Sequence, residues 1–347
     1  MNNIRLFHIS HTDLDGYACQ FLTNEVFSKK HFYNANYGLE VKQAIKQVIT
    51  EIKNYQDEKL LLLISDLNLN QQESEELDKD IKSLKDDGFD ITLQLLDHHI
   101  TGKSSAAKYD WYFLDDKRCA TKIVFDYLLK EFKAPLNDYK EWVDTVNAVD
   151  IWLENEKKNF EFGKVLMSMV TKAREINSIL FNSLDRDFKF YLLKNSIGFL
   201  SLENAPIVLD NSVHSLKKEF LKDGFDDTLD NLSASYLVKS LDKIKDDLTV
   251  YYNGQKGLMT YCLGAISIPA NSFLRANSDY DFFIDISRKG NASFRADGKL
   301  DVSQLASKLA NGGGHVNASG CKFDDFIDTI NLQEVRAYIQ NKLNNLK

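Results

Sequence analysis

Only three prolines occur in 347 residues, so long helices would meet few interruptions. The four cysteines, Cys19, Cys119, Cys262 and Cys321, lie far apart and match no zinc-ligand spacing. That argues against a zinc ribbon and a disulfide framework, and fits buried, reduced thiols in the cytoplasm. No apolar run approaches the length of a bilayer span, and the amino terminus lacks a signal-peptide pattern, so a soluble cytoplasmic protein is expected. Positive charge is in short supply as well. A net charge of -8 argues against a broad basic face that coats long nucleic acid. It leaves room for a local pocket gripping a few phosphates, above all where metal ions offset clustered carboxylates. No internal repeat and no low-complexity segment is found.

What is present is ordinary globular composition, 44% hydrophobic and 27% charged, with enough chain for two domains. Of seven histidines, four (His11, His98, His99 and His315) fall in polar motifs. The β-rich apolar run from Ile91 to Leu96 reads as a buried strand that stops abruptly at Asp97-His98-His99. Open α/β sheets place ligands at the carboxyl ends of their strands, although a surface loop with two histidines would look the same.

Two further strand-like runs end in this way. Ile4 to Ile9 leads into Ser10-His11-Thr12-Asp13-Leu14-Asp15-Gly16, and Ala18, Phe21, Leu22 and Val26 then recur at helical spacing. His11, Asp13 and Asp15 are therefore expected in a strand-to-helix loop. Their mixture of oxygen and nitrogen donors suits manganese, magnesium or zinc, while Asp-Leu-Asp-Gly alone could be a polar turn with a helix cap. Leu60 to Ile64 is apolar throughout, as in a strand buried on both faces, and Asp66 follows as either a bridging carboxylate or a turn acid. Asn70 with Glu73 resembles a capping pair for a helix running to Lys85. Helices are also expected from Ala120 to Phe132 and from Tyr139 to Val149. Asp144 and Asp150 are six residues apart and cannot share one helix face, so at most one should reach a common site.

Strand followed by helix, repeated from residue 4 to about 150, predicts an α/β fold with a doubly wound, mainly parallel sheet over residues 1–155. Residues 156–225 read as a helical connector. Residues 226–347 read as a smaller C-terminal α/β substrate-binding domain, with strands Leu248 to Tyr252, Gly257 to Ile266, Phe282 to Ile286 and Ala292 to Arg295, then a helix from Val302 to Leu309. Asn311-Gly312-Gly313-Gly314-His315 follows. Successive glycines let a backbone approach a ligand and turn N–H groups towards an anion, and Arg288 and Arg295 on preceding strands would add phosphate-binding guanidinium groups. Glycine triplets also occur in plain loops.

Taken in order, His11-Thr12-Asp13-Leu14-Asp15-Gly16, the run ending in Asp66, Asp97-His98-His99 and the segment ending in Asp150 resemble the four motifs of the DHH phosphoesterases. Gly312 to His315, followed by Asn317-Ala318-Ser319-Gly320, resembles the signature of the C-terminal domain in the RecJ and nanoRNase branch, and the first motif is similar to the nanoRNase B type. The likeness spans nearly the whole chain. It implies two divalent ions, manganese by preference, held between two lobes. His11 and Asp13 would hold one, Asp15, His98 and Asp150 the other, and Asp66 would bridge them. His99 would face the scissile phosphate, with Asp97 bracing its loop; Asp66, His98 and His99 would form the catalytic set. Arg295, Gly312, Gly313, Gly314 and His315 would bind the phosphates or terminal nucleotide of the substrate, with Arg288 a poorer match.

The implied activity is hydrolysis of short single-stranded oligonucleotides or dinucleotides to nucleoside 5′-monophosphates. The donor to the leaving oxygen stays open among a metal, a histidine and water. The chain has no spare length for an added single-strand-binding barrel, which disfavours processive digestion of long DNA. Other readings are a linear dinucleotide (pApA-type) phosphodiesterase, a 3′,5′-bisphosphate nucleotide phosphatase and a catalytically silent nucleotide-binding regulator. No membrane partner is expected, and a homodimer is compatible with all of these.

Overall fold

The computed structural model describes residues 3–329 and 331–346. Its first sheet is built from β1 (Ile4–Ser10), β2 (Lys29–Asn34), β3 (Lys59–Ser65), β4 (Ile91–Asp97) and β5 (Tyr112–Leu114), interleaved with α1 (Leu14–Val26), α2 (Leu39–Ile52), α3 (Gln71–Asp86) and a short α4 (Lys103–Ala106). Helices α5 (Ala120–Phe132), α6 (Lys140–Asp150) and α7 (Lys157–Thr171) follow. The strand order is β2-β1-β3-β4-β5, and every neighbouring pair is parallel. This is the doubly wound arrangement expected, and its order reverses between β1 and β3, where such sheets open a crevice.

Register decides what meets at that crevice. Ser10 lies opposite Ser65, and Ser65 opposite Leu96, so His11, Asp66 and Asp97 leave the sheet at nearly the same level. The central strands are apolar on both faces. Leu60, Leu62 and Ile64 pack with Leu93 and Leu95 against Val41, Ile45 and Val48 of α2 and Leu77, Ile81 and Leu84 of α3. Leu61 and Leu63, alternating to the opposite face, are also buried. The capping pair at Asn70 and Glu73 is present in both directions, each bond 3.0 Å long.

Helices α8 (Asn182–Ser196), α9 (Ala205–Leu221) and α10 (Leu229–Leu241) precede the second sheet. That sheet contains β6 (Thr249–Tyr252), β7 (Gln255–Tyr261), β8 (Phe282–Ile286), β9 (Asn291–Ala296), β10 (Gly313–His315) and β11 (Ala318–Lys322), with α11 (Ser267–Ala276), α12 (Val302–Ala310) and α13 (Leu332–Asn344). Its order is β10-β11-β9-β8-β7-β6; only β7 and β8 run parallel. Internal contacts divide the chain into two units: β1 through Ala173 with Arg186–Val213, and Arg174–Asp185 with the chain from His214 onward. The segment 156–225 is therefore shared between them. Among the described residues no helix is long and apolar enough to cross a membrane.

Three local expectations need correction. The first helix begins at Leu14, so Asp13 is its N-cap and Asp15 lies in its first turn, not in a loop. Strand β7 ends at Tyr261, short of Ile266, because the buried Asp285 carboxylate draws in the N–H groups of Leu263 (3.0 Å) and Gly264 (3.1 Å) and folds the chain into a loop. Arg288 is not on a strand: it sits in the turn between β8 and β9, closed by Ser287 N–H donating to Asn291 O at 2.9 Å.

Candidate metal centre

The first unit brings His11, Asp13, Asp15, Asp66, His98, His99 and Asp150 together at the carboxyl ends of β1, β3 and β4 and the end of α6. Asp13 is the helix cap that the sequence allowed, and it also faces His11. Its Oδ1 accepts the Gly16 N–H at 3.0 Å and caps α1, while Oδ2 lies 2.9 Å from His11 Nδ1. Asp66 Oδ2 is 3.7 Å from the same His11 nitrogen, and its Oδ1 is 3.3 Å from His98 Nε2. His98 Nε2 is also 3.6 Å from Asp150 Oδ2 and 3.8 Å from Asp15 Oδ2. Asp66 thus stands between two imidazoles from different strands. Its φ of 56° is left-handed, a conformation that Asp tolerates better than most residues. A non-glycine residue held there costs on the order of 1–3 kcal/mol and tends to mark a functional position.

Asp144 is neutralised elsewhere, its two oxygens each 2.7 Å from Lys122 or Lys140. Asp150 is the acid of α6 that reaches His98. Asp15 is held from below: its carboxylate accepts the N–H groups of Ala120 (2.7 Å) and Thr121 (2.8 Å) in the first turn of α5. A helix N-terminus favours negative charge at that point.

Gly16 is required by close approach. A Cβ there would stand 2.3 Å from the His11 carbonyl oxygen and 2.6 Å from its carbon, both backbone atoms. Gly16→Ala should therefore push the His11–Asp15 loop aside, costing on the order of 1–3 kcal/mol and most of the activity. An unchanged melting temperature and turnover would show that the loop yields freely.

The electrostatics are those of carboxylates crowded together in a buried place. Burial, then the charges of Asp15 and Asp13, drive the Asp66 carboxyl well above the ordinary range. Burial and Asp15 push Asp150 up to about 8. Burial opposes the charge on His11, but Asp13 and Asp66 override it and raise the imidazole to about 10. Asp66 Oδ2 and Asp150 Oδ2 are buried with no hydrogen-bond partner among the described residues. Buried polar atoms are nearly always satisfied, so orphaned carboxylate oxygens beside imidazoles suit a divalent ion. Ligand atoms lie within 4.8 Å of one another in three groups: His11, Asp13 and Asp66; Asp66, His98 and His99; and Asp15, Cys119 and Asp150. Asp66 is common to the first two.

The surroundings include groups that the sequence motifs do not reveal. His99 Nδ1–H donates to the buried Asp97 at 2.7 Å, and Tyr112 donates to the other Asp97 oxygen at 3.2 Å. Tyr37, in the turn after β2, has its hydroxyl 3.2 Å from His99 Nε2. Beneath the centre, His8 bridges Ser65 Oγ (2.8 Å) and Thr23 Oγ1 (2.9 Å), and burial lowers its pKa to about 3, leaving it neutral. Ser10 Oγ, 2.8 Å from Ser65 Oγ, completes a buried clasp between β1 and β3.

In the second unit, Arg295 donates to Phe294 O (2.8 Å) and to Ser267 Oγ (2.9 Å), while Arg288 faces Asp328 at 3.3 Å. Gly313–His315 is an exposed strand paired antiparallel with β11. That pairing explains two glycines, because a Cβ on Gly312 or Gly314 would meet the Gly320 or Ala318 carbonyl oxygen at 2.3 or 2.5 Å. Gly313 faces open space.

No family model matches the chain. A Helicobacter pylori protein named 3′,5′-cyclic-nucleotide phosphodiesterase is 42% identical to it over 347 residues, covering 99% of both chains. Oligoribonuclease NrnB of Bacillus subtilis is 24% identical over 338 residues, covering 92% of this chain and 73% of its own. A crystal structure of an uncharacterized protein from Helicobacter pylori G27 superposes with a TM-score of 0.86 at 43% identity, over 99% of this chain and 100% of that one. With a phosphodiesterase so similar from end to end, and with Asp97-His98-His99 standing where the carboxylates converge, the chain belongs to the DHH phosphoesterases, enzymes that hydrolyse phosphodiester bonds.

Proposed function

We propose that the chain is a divalent-metal-dependent phosphodiesterase of small nucleotide esters, acting on dinucleotides and short oligonucleotides to release nucleoside 5′-monophosphates. The observation that carries this reading is Asp66, an orphaned buried carboxylate between His11 and His98. His11, Asp13 and Asp66 would hold one cation, and Asp66, Asp15, His98 and Asp150 a second. When bound, paired divalent cations lower the pKa of water and neutralise charge on an attacked phosphoryl group.

The remaining work falls to side chains. Asp97 accepts a hydrogen bond from His99 Nδ1–H, which fixes the ring and aims Nε2 away from the buried carboxylate. Asp15, fastened to the first turn of α5, keeps its oxygens in place beside His98 and Asp150. Arg295 and the Gly312–His315 strand would bind the anionic end of the substrate; Arg288, faced by Asp328, would contribute less. Arg295→Ala should raise KM for a dinucleotide by about 10- to 100-fold, the worth of one charged hydrogen-bond donor, with kcat less affected. Normal affinity for every oligonucleotide tested would remove Arg295 from the site.

A second reading has its own support. The 42% identical relative is named for 3′,5′-cyclic nucleotides, which present one diester and no chain to anchor. Turnover of pApA, an RNA pentamer, 3′,5′-cyclic AMP and 3′,5′-bisphosphorylated adenosine, with manganese and again with a chelator, separates the readings. The first expects the linear diesters to be preferred, with 5′-AMP as product. Preference for the cyclic ester selects the second, and turnover of the bisphosphate alone overturns both.

A further inference from the structure

The donor that meets the leaving oxygen is left open by the motif residues, which are carboxylates and imidazoles. We propose that the Tyr37 hydroxyl is that donor: as a water oxygen bonds to phosphorus and the P–O bond to the leaving oxygen breaks, it hydrogen-bonds that oxygen and keeps its own proton, the alcohol product taking the proton that the attacking water gives up. The inference rests on the phosphodiesterase reading above.

Tyr37 is tied to both sides of the centre. Its ring packs against the His11 ring at 5.2 Å between centroids and meets the His99 ring edge-on at 5.8 Å. His99 Nδ1–H is committed to Asp97, so Nε2 is the acceptor and the phenol O–H is the donor across the 3.2 Å contact. The result is a chain from Asp97 through His99 to Tyr37. Its outer end is the Tyr37 O–H.

The segment bearing Tyr37 is fastened to the metal-binding loop. Thr12 Oγ1 donates to Asn36 Oδ1 at 2.8 Å, and Asn34 Nδ2 donates to His11 O at 3.3 Å. Asn36 in turn gives its backbone N–H (3.0 Å) and side-chain amide (2.9 Å) to Glu40 at the start of α2. Gly38, with φ 80°, turns the chain between the two. The hydroxyl is therefore placed by the same residues that place His11, which is what a group acting at one atom of the substrate requires.

Exposure points to the leaving side. Asp66 and Asp15, on the floor, are each 1% exposed, whereas Tyr37 is 42% exposed at the rim. The departing nucleoside must exit to solvent, so its oxygen lies nearer the rim than the floor. The carboxylates around the centre are acceptors that would repel a developing alkoxide, and the Tyr112 hydroxyl is already given to Asp97. A phenol is protonated at neutral pH and can donate a hydrogen bond without any change of charge.

The test compares wild type and Tyr37→Phe, both loaded with manganese, on pApA and on bis(4-nitrophenyl) phosphate. The dinucleotide expels a basic alkoxide that needs a hydrogen bond, and the aryl ester an acidic phenoxide that does not. Tyr37→Phe should lower kcat on pApA by about 10- to 100-fold, the factor for one hydrogen bond to a charged oxygen. On the aryl ester the loss should stay within about threefold, with KM and manganese affinity by titration unchanged. Equal losses on both esters, or no loss on pApA, overturn the proposal. A wild-type enzyme that cleaves neither ester instead refutes the linear-diester reading beneath it.

Discussion

Asp66→Asn should remove manganese-dependent turnover by about a thousandfold or more, because it deletes the one carboxylate common to two ligand groups. The amide keeps the volume of the side chain and the left-handed turn but offers a single weak oxygen donor. Its effect on the metal-free protein should run the other way. In the wild type, burial and the charges of Asp15 and Asp13 make an ionised Asp66 unfavourable, and a neutral isostere relieves that repulsion. The variant should thus melt no lower than the wild type in a chelator while binding fewer manganese ions on titration. A fully active Asp66→Asn enzyme with unchanged manganese stoichiometry would refute the shared-ligand role. A collapsed variant would mean that the carboxylate supports the fold, contrary to its orphaned oxygen.

How much of this was legible in the amino-acid order depended on where each residue sits in the sheet. β1, β3 and β4 are central strands with buried, largely apolar residues, so their ends, and with them His11, Asp66 and Asp97, stand out as abrupt changes of chemistry. β2 carries the same topological information in the opposite guise. Lys29–Asn34 is charged and aromatic, only partly buried along an edge, and shows no clean alternation, so the strand and the Tyr37 turn beyond it leave no comparable trace. A tyrosine shortly after a fourth parallel strand would have been the only signal.

Contacts made across the fold were out of reach for another reason. The N–H groups of Ala120 and Thr121 have no side-chain signature, and they meet Asp15 more than 100 positions away. Asp144 and Asp150 are alike in residue type and share one helix; the family likeness favoured Asp150, and the lysines that hold Asp144 account for the other. The glycine triplet drew attention as a phosphate cradle, and the pairing of β10 with β11 supplies a structural need for two of its members as well.

The metal-free protein should lose thermal stability as pH rises from 7 to 8.5, and manganese should reverse that trend. The sign follows from which state holds more protons. Asp150 has its folded-state pKa raised from 3.8 to about 8, so over that interval the folded protein binds a proton that the unfolded chain has released, and stability falls as pH rises. Asp66 is shifted in the same direction, by burial and by the charges of Asp15 and Asp13. His11, raised from 6.5 to about 10, is charged and paired in the folded state after the unfolded chain has let its proton go, and so contributes stability that is lost through the same range. Asp13, lowered to about 2, stays ionised throughout and adds no slope. The buried neutral His8 has the opposite sign, but with its pKa lowered to about 3 its gain is complete above 6.5, which is why the comparison begins at pH 7. Cations take the deprotonated ligands, so binding releases protons and strengthens with pH. At a thousandfold excess over Kd a single bound ion stabilises the folded state by about 4 kcal/mol. The rise in Tm on adding manganese should accordingly be larger at pH 8.5 than at pH 7, and Asp150→Asn should flatten the metal-free slope. A chelated protein whose Tm climbs over this window, or a manganese shift equal at both pH values, would mean that these carboxylates do not share one cation-dependent charge balance.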